Sequence, residues 1–61
     1  MSEEVHWIKE NRLEQGLTQE QLAKEVGVSV STVKRWEKNQ TEPKMSDLRN
    51  LYSVLKIRRK L

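Results

Sequence analysis

LTQEQLAKEVGVSVSTVKRWEK, residues 17–38, holds two apolar-periodic segments separated by Gly27. Leu22, Ala23 and Val26 recur on one face of a helical wheel, and Val33 and Trp36 do the same three residues apart. Thr18 stands in front of the first segment as an N-cap, and Gln21 three residues later completes a capping box. Ser29 supplies the hydroxyl that caps the second. Between them Gly27 accepts the left-handed backbone of a tight turn, where a β-carbon is unfavourable. The stretch therefore reads as two short helices joined by a turn, the second running from Ser29 to about Asn39.

The second of these helices is two-faced. At about 100° per residue, Ser31 and Arg35 lie some 40° apart on the wheel, with Lys38 close by. Val33 is rotated roughly 200° from Ser31, so packing the valine inward aims the serine and the arginine outward.

The flanking sequence supplies support. Ser2-Glu3-Glu4 opens a helix, with a hydroxyl cap and carboxylates near the positive end of the helix dipole. Val5, Ile8 and Arg12, with Trp7 and Leu13 flanking, carry it to about Gln15, and Gly16 follows as a left-handed C-cap. Ile8 is assigned to the core, Trp7 to packing and His6 to the surface. After the loop around Pro43, Ser46-Asp47 starts a fourth helix whose inward stripe is Leu48, Leu51, Tyr52 and Leu55. No glycine, proline or asparagine follows Pro43 and Asn50 to end it. It therefore either continues towards Leu61, aligning Val54, Ile57 and Leu61, or gives way to a frayed basic tail.

A chain of 61 residues makes one domain, spanning 1–61, and at this size it buries only about 60% of its unfolded surface. It has no cysteine and a single histidine, so no thiolate or histidine metal site is expected, nor any cofactor. No apolar run reaches membrane-spanning length, and the acidic N-terminus is unlike a signal peptide. Charge is divided. Residues 1–33 carry three cations against six carboxylates, net −3, whereas residues 34–61 carry nine against three, net +6. A basic half suggests a polyanionic partner.

With these residues laid out, the chain resembles the lambda-repressor-like (Cro-type, XRE) family of helix-turn-helix domains. The likeness covers roughly Ile8 to Ile57, through IKENRLEQGLTQEQLAKEVGV, STVKRWEKN, the Pro43 loop and LRNLYSVL. It implies an all-α, compact four-helix fold, with or without a C-terminal extension, whose helix-turn-helix unit spans about residues 18–38. It also implies that the third helix lies in the major groove of double-stranded DNA. Matching the family's positions puts Val30, Ser31 and Arg35 at the bases, with Thr32 and Lys34 beside them. Arg35 suits guanine O6 and N7, while Val30, where many relatives carry glutamine, suits a thymine methyl. Thr18, Gln19, Lys38, Asn39 and Gln40 fall at backbone-contact positions. Arg12 and Glu37 match an ion pair buried between the first and third helices.

Two functions follow from this. One is sequence-specific duplex DNA binding by a small cytoplasmic transcriptional regulator, most simply a repressor. It would form a homodimer, with Val54, Ile57 and Leu61 as the contact. The other is a helical protein-interaction module, antitoxin-like or coactivator-like, on the same fold. An enzyme is not expected, since there is no paired carboxylate, Ser/His arrangement or glycine-rich phosphate loop.

Overall fold

The computed structural model describes residues 6–56, with His6 described in its backbone only. Four helices follow one another: α1 (His6–Glu14), α2 (Gln19–Val26), α3 (Val30–Glu37) and α4 (Met45–Val54), and no strand occurs among the described residues. α2 packs on both α3 and α4, and α1 packs on α3. Ile8, Leu22, Ala23, Val26, Val33, Trp36, Leu51 and Leu55 are buried where the four meet. The apolar positions of both central helices thus face inward as their spacing requires.

Helices of 8 to 10 residues are too short to persist alone in water, so capping and packing must hold them. At the start of α2, Thr18 Oγ1 accepts from the Gln21 backbone N–H at 3.0 Å, and Gln21 Oε1 accepts from the Thr18 N–H at 2.8 Å. Ser29 Oγ accepts from the Thr32 N–H at the start of α3. Such caps contribute about 1 kcal/mol each.

Every helix exits through a left-handed residue: Gly16 (φ 73°), Gly27 (φ 91°), Asn39 (φ 63°) and Lys56 (φ 57°). In the first three, the amide after that residue turns back to a carbonyl five positions earlier. These bonds are Leu17 N–H to Arg12 O at 3.0 Å, Val28 N–H to Ala23 O at 2.9 Å and Gln40 N–H to Arg35 O at 2.9 Å. They satisfy carbonyls that the helix leaves open and reverse the chain abruptly. A β-carbon at Gly16 or Gly27 would meet nothing within 4 Å, so backbone conformation and not space requires glycine there.

The fourth helix differs from its expected form. Its first residue is Met45, not Ser46, because Asp47 at the third position reaches back to the Lys44 backbone N–H at 3.3 Å. Of the expected stripe only Leu51 and Leu55 are fully buried, while Leu48 and Tyr52 are half-buried. The Tyr52 ring lies 5.3 Å from that of Trp7, tilted by 34°, closing the side of the core between α1 and α4. The helix does not run on through Lys56. It stops at Val54, where turning the chain at Lys56 leaves Leu55 inside the core at 1% exposure. No glycine marks this exit, which is why the sequence left it open. Ser2 to Val5 and Ile57 to Leu61 lie outside the described residues. No helix among the described residues is long and apolar enough to cross a membrane.

Lysine in the left-handed region is disfavoured by roughly 1 kcal/mol or more relative to glycine. Lys56→Gly should therefore raise stability by about 0.5–1 kcal/mol, and Gly27→Ala should lower it by about 1 kcal/mol, as read from urea unfolding midpoints.

Candidate nucleic-acid interface

The outward face of α3 is assembled by what its inward face buries. Val33 at 0% and Trp36 at 2% exposure anchor the helix, and Ser31, Lys34 and Arg35 are left exposed on the remaining arc. Lys38, Asn39 and Gln40, also exposed, follow where the chain turns left-handed. Thr32 is half-buried, and its hydroxyl lies 3.0 Å from that of Ser29, so one donates a hydrogen bond to the other at the helix N-terminus. Val30 is half-buried and packs on the core, dividing its side chain between interior and surface. Thr18 and Gln19 stand together at the start of α2, Thr18 exposed and Gln19 half-buried.

Behind this face sits a buried charge pair. Arg12 Nε donates to Glu37 Oε2 at 2.8 Å and Arg12 Nη2 donates to Glu37 Oε1 at 3.2 Å, a two-pronged contact joining α1 to the last residue of α3. The side chains are only 9% and 5% exposed. The remaining arginine prong, Nη1, donates to the Leu17 carbonyl at 2.9 Å, tying the α1–α2 turn to the same point. Planar guanidinium geometry makes this possible; a lysine ammonium has no such fork. Glu37 also accepts from Gln19 Nε2 at 3.0 Å through Oε1. Two side chains, one from α1 and one from α2, thus share the carboxylate at the end of α3, and among the described residues no buried side-chain nitrogen or oxygen lacks a partner. The bond between Gln19 and Glu37 had no counterpart in the sequence reading. No periodicity links residues 18 positions apart on different helices.

The dimer positions are less completely placed. Val54 is half-buried, packed on the core beside a shallow hollow lined by Gln15, Leu17, Glu25, Ser53 and Lys56. Ile57 and Leu61 lie outside the described residues. Among the described residues, no cluster of histidine, aspartate and glutamate could hold a metal ion.

Two short helices meeting at a left-handed glycine, with a basic outer face on the second, are the pattern that the helix-turn-helix family model matches over residues 8–60. The chain belongs to the helix-turn-helix family. It is of the Cro/C1 type, XRE-like, a family of DNA-binding regulators that are generally non-enzymatic. Searches of curated proteins and of solved structures each returned no match. In this helix-turn-helix protein, the matched span takes in all of α2, α3 and α4 and most of α1.

Removing one member of a buried ion pair strands the other's charge, at a cost of about 3–5 kcal/mol, whereas replacing both by apolar residues is often neutral. Arg12→Met alone should therefore lower the melting temperature sharply. Arg12→Met/Glu37→Met should melt close to the wild type, as followed by circular dichroism.

Proposed function

We propose that the chain is a sequence-specific binder of double-stranded DNA acting as a small transcriptional regulator, in the simplest case a repressor. The observation that carries this reading is the sidedness of α3, with Val33 and Trp36 buried and Ser31, Lys34 and Arg35 exposed. A helix that presents such a face fits the major groove, about 12 Å wide. In this reading Ser31 and Arg35 meet base edges, flanked by Val30, Thr32 and Lys34, and Arg35 pairs with guanine through both its prongs. Thr18, Gln19, Lys38, Asn39 and Gln40 contact phosphates and so set register without reading sequence. Glu37 lies at the end of the same helix. With Arg12 neutralising its carboxylate, it opposes the phosphates less than a free glutamate would.

Selection from a random duplex pool tests this directly and should return a common sequence. Arg35→Ala should cost about 1–3 kcal/mol on that sequence and relax preference at one base pair. Lys38→Ala should weaken all sequences alike and reduce the salt slope by about 0.9. Equal, sequence-independent losses from both would contradict the division between base and backbone contacts. Binding with little salt dependence and no sequence preference would favour a protein-interaction module instead.

Helix-turn-helix proteins of this geometry read two half-sites one helical turn apart as symmetric dimers. In the proposed homodimer, Val54, Ile57 and Leu61 form the isologous contact. What supports it is the incomplete burial of Val54 beside its hollow. Ile57→Asp should lower the mass seen by light scattering on the selected duplex and weaken binding. Unchanged mass with unchanged affinity would exclude that contact.

A further inference from the structure

Gln19 is the first residue of α2, one position beyond the Thr18 cap. Its side-chain nitrogen carries two protons, and one of them is engaged by Glu37 Oε1 at 3.0 Å. A carboxylate only accepts, so Glu37 takes the nitrogen end of the amide and dictates how the amide is turned. The second N–H has no partner among the described residues, and Gln19 lines a surface hollow together with Arg12, Leu13, Leu17, Thr18 and Glu20. Glu37 is itself held by two arginine prongs and is nearly buried. Arg12 also fixes the Leu17 carbonyl, two residues before Gln19. The amide and the turn that leads to it are therefore both referred to the same guanidinium. Without that acceptor the glutamine side chain has three rotatable bonds to order on binding, at a cost in side-chain entropy.

We infer that Glu37 is a positioning residue for DNA binding: clamped by Arg12, it orients the Gln19 amide so that the second N–H meets a backbone phosphate at the start of α2. The inference rests on the reading of Gln19 as a phosphate contact, and it gives the Arg12–Glu37 pair a part in binding besides joining helices.

The test uses the full chain and the duplex recovered by selection, with methylphosphonate replacing single phosphates in turn. In the wild type, one neutralised phosphate per half-site should lower affinity about tenfold, as suits a hydrogen bond to a charged acceptor. Gln19→Ala should lose about the same and become insensitive at that phosphate. In Arg12→Met/Glu37→Met the penalty there should fall to about threefold or less, and Gln19→Ala added to it should cost little more. Glu37→Asp keeps a charge for Arg12 while withdrawing the acceptor from Gln19 by one methylene. It should show the same reduction, and it serves if the double variant does not fold. A folded Glu37 variant that keeps the full penalty at that phosphate overturns the positioning role and leaves Gln19 as a phosphate contact. A Gln19→Ala variant that matches the wild type at every phosphate, while Lys38→Ala still weakens binding, overturns the contact itself and the inference with it.

Discussion

The two-pronged contact between Arg12 and Glu37 is the constraint on which the geometry of the whole face depends. The first helix, the turn leading into the second and the end of the third all converge on one guanidinium. Buried charges are costly to desolvate, and such a pair is not by itself a source of stability. Its value is directional. A hydrophobic core of eight residues tolerates small rotations of one helix against another. A planar fork that must meet a carboxylate and a carbonyl together does not. In a chain this small, specificity of arrangement is the scarcer commodity.

Helix length explains the rest of the design. Among the described residues none of the four helices exceeds 10 residues, so each needs its ends satisfied and one face buried. Left-handed exits at Gly16, Gly27 and Asn39 return amides to carbonyls that would otherwise lie open, and they turn the chain tightly enough for neighbouring helices to cross. α2 packs on both α3 and α4, and the small side chain of Ala23 is buried on its inward face at 3% exposure. Short helices and abrupt turns together leave one helix face outward. Lys34 and Arg35 lie on that face, and Lys38 follows at the end of the helix.

Most of the fold was legible because its signals are local. Capping residues, apolar spacing and two glycines identify α1 to α3 and their turns, and each of those signals acts within a few residues. The fourth helix shows the limit of that logic. Its start depends on Asp47 reaching back past Ser46, and its end on Lys56 taking a backbone conformation that its side chain does not favour. The reward for that strain, Leu55 in the core, is a tertiary one. Leu48 and Tyr52 share the apolar stripe but come to rest half-buried, Tyr52 with its ring against that of Trp7.

By itself the sequence determined four helices in order, the residues of α2 and α3 that face inward, and the arc of α3 left free for Ser31, Lys34 and Arg35. Helical periodicity settles these without reference to any distant residue. Only the tertiary structure decided that Gln19 is tied to Glu37, that Leu17 lends its carbonyl to Arg12, and that Val30 is partly claimed by the core. These contacts join residues on different helices or across a turn, and the directions of such side chains are set only when the helices cross. Periodicity assigns a residue to a face of its helix; only packing says what that face meets.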